Sequence, residues 1–199
     1  MYVGNVVLDR PPMVLSQYSL STSATPPLAI AYLSGFLRSS GFDPQAIDAL
    51  GEGIDTYTPV EGTVGLAQGL PIDEIIDRIS DDAKIIGYSA MFSCSWTYDK
   101  KILQRIRDRF PKAIIVAGGE HITACTDYVL KDCSAVNICV QGEGEETFLD
   151  IVEKVYEEKE LSGVHGISYL KNGSTTVNPS RARIRNIDKI PEPYWDDLP

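Results

Sequence analysis

Ile114-Ile115-Val116-Ala117-Gly118-Gly119-Glu120-His121 reads as a buried strand that runs out into two glycines and then an ionisable pair. Three of its four leading residues are β-branched, which suits a parallel strand covered on both faces. Two adjacent glycines at its carboxyl end remove side chains where a flat or bulky group could lie against backbone. In open α/β sheets ligands bind beyond those ends.

Working outward, Ala83–Ser89 is a second buried strand, and Ala90–Trp96 is its polar, aromatic-rich exit loop. Ile102, Ile106 and Phe110 mark the helix between these two strands, which Pro111 ends. Downstream, residues 121–133 form a less regular helix with Ile122, Tyr128, Val129 and Leu130 expected to bury. Ala135–Val140 is a further strand. It leads through Gln141-Gly142-Glu143-Gly144-Glu145-Glu146-Thr147 into a helix carrying Phe148, Ile151, Val152 and Val155 at helical spacing.

Towards the N-terminus, Val3–Leu8 is the first strand, ended by Asp9-Arg10-Pro11-Pro12. Residues 10–26 read as a long loop with Ser19, Ser21, Thr22, Ser23 and Thr25. Pro26-Pro27 open a helix striped with Ile30, Leu33, Phe36 and Leu37 and stopped at Gly41. Gln45–Leu50 is a weak second strand, 51–70 an irregular glycine-rich insertion, and Pro71 opens a helix with Ile72, Ile75, Ile76 and Ile79 on one face.

Five strands alternating with helices predict an α/β fold. The expected architecture is a flavodoxin/Rossmann-like, five-stranded parallel sheet in the order 2-1-3-4-5 with helices on both faces. Asn172-Gly173, between extended runs, adds a C-terminal β-hairpin. The proline-punctuated tail Arg181–Pro199 reads as a linker with Tyr194 and Trp195 seeking cover. The expected division is an α/β domain over 1–162 and a hairpin and linker over 163–199.

A formal charge of -10 lacks the Lys/Arg clusters that nucleic acid or an anionic membrane surface needs. No apolar stretch approaches the roughly 20 residues of a membrane span. Four cysteines with no C-x-x-C pair and no signal-peptide pattern predict free thiols in a cytoplasmic protein.

Three strand ends converge on one rim: Ser89-Ala90-Met91-Phe92-Ser93, Gly118-Gly119-Glu120-His121, and Gly142-Glu143-Gly144. Single glycines at such ends only permit tight turns; three glycine- and hydroxyl-rich ends in register point to a ligand site. Gly142-x-Gly144 is no dinucleotide fingerprint, because its third glycine position is Thr147 and it follows the fifth strand, not the first. A flavin-phosphate loop after strand one would want a glycine between Arg10 and Pro27, and none is there. A phosphorylation receiver needs an Asp where this chain has Ser89. His121 and Cys125 stand four apart, a helical metal-pair spacing, but no second pair joins them, and no protein metal site or catalytic residue is expected.

The motifs in order resemble the N-terminal cobalamin (B12)-binding domain of cobalamin-dependent radical S-adenosylmethionine enzymes. In the broader cobalamin-binding fold a Ser-x-Leu segment ends strand three and Gly-Gly ends strand four. Here Ser89-Ala90-Met91 and Gly118-Gly119 are separated by 26 residues, 92–117, one strand–helix–strand unit, with Met a volume-conserving replacement for Leu. Pro26-Pro27-Leu28-Ala29-Ile30-Ala31-Tyr32-Leu33 resembles the first-helix motif of the radical branch. Gly118-Gly119-Glu120-His121 is similar to its Gly-Gly-x-His turn, and Gln141–Thr147 to its signature. Ile187–Pro193 with Trp195-Asp196 resembles the linker before the radical barrel.

The resemblance implies a corrinoid whose nucleotide tail enters near Ser89, Gly118 and Gly119 while the corrin lies over the rim loops. Expected contacts are Pro12, Thr25, Pro26, Met91, Phe92, Ser93, Glu120, His121, Gly142, Glu143 and Gly144 besides those three. Two departures shape the expectation. Many cobalamin domains carry Asp-x-His-x-x-Gly, whose His ligates cobalt; Asp9-Arg10-Pro11-Pro12-Met13-Val14 has neither that His nor that Gly, which implies a base-off corrinoid without a protein histidine. No Cys-x-x-x-Cys-x-x-Cys is present, so the 4Fe-4S cluster that cleaves S-adenosylmethionine belongs to a radical SAM domain outside this sequence. The chain alone is then a binding module of a methyltransferase or cyclase. The alternative from the residues is an α/β interaction module, or one that binds flavin or another nucleotide.

Overall fold

The computed structural model describes residues 2–19 and 25–199, with side chains from Asn5 onward within the first strand. Ser21, Thr22 and Ser23 lie outside the described residues. Strands β1 (Tyr2–Arg10), β3 (Phe42–Asp48), β6 (Ile85–Ser89), β7 (Ile114–Gly118) and β8 (Ile138–Val140) are mutually parallel neighbours in the order β3-β1-β6-β7-β8. That is the expected 2-1-3-4-5 arrangement. The hairpin β9 (Ile167–Lys171) and β10 (Ser174–Val177) turns at Asn172-Gly173 and continues the same sheet antiparallel to β8, giving seven strands.

The period-two alternation of each strand divides the core. Val6, Leu8, Ile85, Val116, Ile138 and Val140 face α1 (Leu28–Ser39) and α6 (Glu145–Tyr156). Val7, Ile86, Tyr88, Ile115, Ala117 and Cys139 face α3 (Ile72–Arg78), α4 (Trp96–Arg109) and α5 (Glu120–Asp132). Burying both faces is what makes the parallel strands read as apolar runs rather than as alternations.

Several expectations need correction. The stretch read as a loop over 10–26 contains β2 (Met13–Ser16). The insertion over 51–70, read as irregular, contains β4 (Tyr57–Pro59) and β5 (Gly65–Gln68). These form a separate three-stranded antiparallel sheet, β2-β5-β4. Strand two begins earlier than expected, at Phe42, and Ala49–Glu52 is a short helix, α2, capped by the Asp48 carboxylate on the Gly51 N–H. Trp96 opens α4 instead of closing a loop, and Tyr128 is 53% exposed because it stands on the outer face of α5. The irregularity expected in that helix is a kink at Cys125, whose φ and ψ are -125° and 28°.

The tail does not hang free. Arg181 joins Glu146 and Asp150 on α6. The Tyr194 N–H donates to the Ala31 carbonyl at 2.9 Å, and the Arg38 guanidinium lies 4.1 Å from the Tyr194 ring centroid. Gly35 lets the tail sit this close: a Cβ there would stand 2.2 Å from the Glu192 carbonyl oxygen. Gly→Ala in a helix interior ordinarily stabilises by about 1 kcal/mol. Gly35→Ala is expected to do the opposite locally, lifting the tail off α1, and limited proteolysis should cut the variant after residue 185 faster than wild type.

Among the described residues no helix is long and apolar enough to cross a membrane.

Candidate functional site

The strand order reverses between β1 and β6, so the crevice of this doubly wound sheet opens beyond their carboxyl ends. Two adjoining clefts of about 200 Å³ each occupy it, sharing Ala29, Ile30, Ser89 and Met91.

The second cleft is a slot between the sheet and helices α1 and α6. Its sheet wall is Leu8, Gly87, Ser89, Val116, Gly118 and Val140, all on the face that meets those helices. Register explains the slot's depth. Ser89 pairs with Gly118 and Gly87 with Val116, so over two successive layers these central strands put only one hydroxymethyl group, one isopropyl group and two hydrogens on this face. A Cβ on Gly118 would meet nothing closer than the Val140 Cβ at 3.9 Å. The strand does not need a glycine there; the slot does.

Gly119 differs. Its φ of +107° belongs to the left-handed side of the map, and a Cβ would lie 2.4 Å from the Ala90 carbonyl oxygen. It therefore shapes the turn into α5, while the Ala90 N–H donates to the Gly118 carbonyl at 2.8 Å and locks the two strand ends together. Gly142, Glu143 and Gly144 close the slot at the start of α6.

The first cleft lies between the exit of β1 and the exit of β6. Pro11, Pro12, Met13, Pro26, Met91 and Phe92 give it apolar walls. Leu28 (54% exposed), Met91 (43%) and Phe92 (51%) form an apolar platform on its rim. Arg10 is the cation in this lining, and it is engaged, donating to the Thr25 carbonyl at 2.7 Å and pairing with Asp48 at 3.4 Å. Asp99 forms part of the floor, accepting from the Tyr88 hydroxyl at 3.0 Å.

Of the residues expected at the site, Pro12, Thr25, Pro26, Ser89, Met91 and Phe92 line the first cleft. Gly118, Gly119, Gly142, Glu143 and Gly144, with Ser89 and Met91 again, line the second. Ser93, Glu120 and His121 line neither. His121 is 4% exposed; its Nδ1 sits 2.9 Å from the Ser93 hydroxyl and its ring 4.9 Å from that of Trp96. Burial pushes its pKa down, which keeps it neutral. Glu143 accepts from the Ile184 N–H at 2.8 Å, and thus also anchors the tail.

Sequence reasoning missed the slot wall Leu8, Gly87, Val116, Val140 and Phe148, and Arg10 in the first cleft, whereas Asp99, whose contact with the corrin amides the sequence leaves open, lines that cleft. The wall was discoverable: taking every second residue back from Gly118 gives Val116, and the same step from Ser89 gives Gly87.

The B12-binding domain family matches residues 21–152 of the chain. Over its whole length the chain is 31% identical to an uncharacterized methyltransferase, PH0819, of Pyrococcus horikoshii, of which it spans 40%. It is 27% identical over 178 residues, 87% of the chain, to the anaerobic magnesium-protoporphyrin IX monomethyl ester cyclase of Rubrivivax gelatinosus, of which the match spans 29%. Among solved structures, the cobalamin-dependent S-adenosylmethionine radical enzyme OxsB with aqua-cobalamin and S-adenosylmethionine bound superposes with a TM-score of 0.69. The match has 21% identity and covers 91% of this chain and 23% of that one. The radical S-adenosylmethionine methyltransferase TsrM from Kitasatospora setae, with cobalamin and a [4Fe-4S] cluster bound, gives 0.65 at 15% identity, covering 96% and 31%. The fold is thus that of the cobalamin-binding α/β class. This chain belongs to the B12-binding domain family, and cobalamin is its cofactor. It spans less than half the length of the curated relatives it matches.

Proposed function

We propose that the domain holds cobalamin base-off, with the nucleotide tail in the slot beneath Ser89 and Gly118 and the corrin over Pro12, Met91 and Phe92. No protein histidine would then ligate cobalt. The observation that carries this reading is the slot itself: Gly118 leaves open space on the one sheet face that α1 and α6 cover, although the backbone does not require a glycine. Thr25, Pro26, Gly142, Glu143 and Gly144 complete the rim around it. The chain has two histidines; His121 is buried against Ser93 and Trp96, and His165 is absent from both clefts, which supports the histidine-free cobalt.

In the longer protein the domain would work beside a radical SAM domain that carries the 4Fe-4S cluster and S-adenosylmethionine, in a methyltransferase or cyclase. The relatives named above support that arrangement. Cobalamin supplies the alkyl-transfer or radical chemistry when bound, and the residues here bind it, orient it and exclude water from its tail. The cytoplasm suits the four free cysteines, two of them buried, and the tail that would lead into a partner domain. The family match favours this reading over a flavin or nucleotide site.

Hydroxocobalamin co-eluting with the full-length protein on gel filtration, with a base-off absorbance spectrum, is the expected result. A histidine-ligated or base-on spectrum would overturn the cobalt assignment. No retained corrinoid at tens of micromolar protein would overturn the binding assignment.

A further inference from the structure

Asp99 is out of character with the cleft it floors. It is 1% exposed, and while the Tyr88 hydroxyl donates to Oδ1, Oδ2 is buried with no hydrogen-bond partner. Asp9, at the end of β1 on the same face of the sheet, is fully buried, and neither of its oxygens has a partner. Buried carboxyl oxygens without partners are rare in folded proteins, and each one costs stability unless something absent from the bare fold meets it. Burial pushes Asp99 up to about 7, so near neutrality it presents an acid that can donate as readily as accept.

The surroundings restrict what could meet Oδ2. Among the described residues an anion would find no free cation in this cleft, because Arg10 is already shared between Asp48 and Thr25. Among the described residues no group of three acidic, histidine or cysteine side chains is placed to hold a metal ion. The rest of the lining is chiefly apolar, prolines with Met13, Met91 and Phe92, and its polar side chains are the uncharged hydroxyls of Thr25, Ser89 and Ser95. A primary carboxamide satisfies these restrictions: its N–H₂ donates to a carboxylate, and its C=O accepts from a carboxylic acid, so one good hydrogen bond forms in either protonation state. Corrin carries primary carboxamides on acetamide and propionamide arms around its edge.

We infer that Asp99 is an anchoring residue for one propionamide arm of the corrin, which descends from the rim into the first cleft and meets Oδ2. The propionamide is the longer arm and the one suited to reach a cleft floor. This inference rests on the cobalamin reading above and adds a specific contact outside the tail slot.

The test uses hydroxocobalamin and its b-, d- and e-monocarboxylic acids, in each of which one propionamide has become a propionate. Affinities are read by absorbance titration at pH 8 on the full-length protein, with circular dichroism to confirm folding. Asp99→Leu is expected to weaken cobalamin binding at least tenfold. Asp99→Asn, which keeps a donor and an acceptor, should stay within threefold of wild type. One of the three acids should bind wild type at least tenfold more weakly than cobalamin and recover at least threefold on Asp99→Asn, where carboxylate no longer opposes carboxylate. A folded Asp99→Leu that binds cobalamin within twofold of wild type overturns the inference, as do three acids that all bind like cobalamin. If Asp99→Leu does not fold, the acid series on wild type and Asp99→Asn decides alone. If wild type retains no cobalamin at all, the cobalamin reading falls, and the Asp99 contact falls with it.

Discussion

Gly118→Leu is expected to abolish cobalamin retention while leaving the domain folded. The strand tolerates a side chain at this position, since its φ lies outside the left-handed region and a Cβ meets only Val140 at 3.9 Å. The rest of a leucine, however, must enter the slot bounded by Ile30, Val116 and Phe148, where the tail is proposed to lie. A ligand that has to displace a packed leucine loses its burial and suffers overlap as well. A loss of several kcal/mol, a hundredfold or more in affinity, follows. The neighbouring glycine is the control. Gly119→Ala meets the Ala90 carbonyl and a φ of +107°, so it should cost about 1–3 kcal/mol of stability in urea unfolding before any question of ligand arises. Gel filtration with hydroxocobalamin and circular dichroism separate the two. Undiminished retention by a folded Gly118→Leu would place the tail elsewhere.

The ligand-free domain should gain stability above neutral pH when Asp99 becomes Asn. An Asp whose folded pKa stands near 7 against 3.8 holds its proton more tightly when folded than when unfolded. Its favourable contribution is complete below about pH 4 and declines as pH rises through 7, because the folded state must then carry a buried charge. A shift of that size corresponds to roughly 4 kcal/mol, an upper bound given local relaxation. Asn keeps the hydrogen bond from Tyr88 and removes the charge. Asp9, raised by its own burial and by Asp99, Asp48 and Glu52, works in the same direction, whereas Arg10 is committed to Asp48. Urea unfolding should show Asp99→Asn clearly more stable than wild type at pH 8, with the gap closing towards pH 4. Equal stability at both pH values would mean that the carboxyl is not raised. A domain that keeps two acids against its own stability fits the general trade of stability for function at binding sites.

The sheet was legible because its strands obey one strong rule. Ile114–Ala117 and the strand ending at Ser89 are apolar on successive residues, which only a doubly covered parallel strand permits, and Pro111 and Gly41 punctuate the helices between. The small sheet β2-β5-β4 was not. Met13–Ser16 pairs with Gly65–Gln68 across some fifty residues, and short strands of mixed polarity with Gly, Thr and Pro carry no periodic signal. Asp99 stood among the acids whose contact with the corrin amides the sequence leaves open, for another reason. An acid in the first turn of a helix ordinarily serves the helix dipole from solvent, and only the tertiary fold brings β1 and β6 over it. Ser93 and His121 stood out by residue type, and the structure turns them towards each other, away from the clefts.

The tail crossing α1 has a kinetic meaning as well. Trp195 and Pro199 end beside Arg10, Thr25 and Pro26, at the mouth of the first cleft. A radical SAM domain joined there, as proposed above, would emerge at the edge of the proposed corrin site rather than on the far side of the domain. Its local concentration at that site would then be set by a span of a few residues, not by a flexible tether. Loosening the strap at Gly35 or Arg38 would dilute such a domain while leaving the proposed cofactor contacts in place.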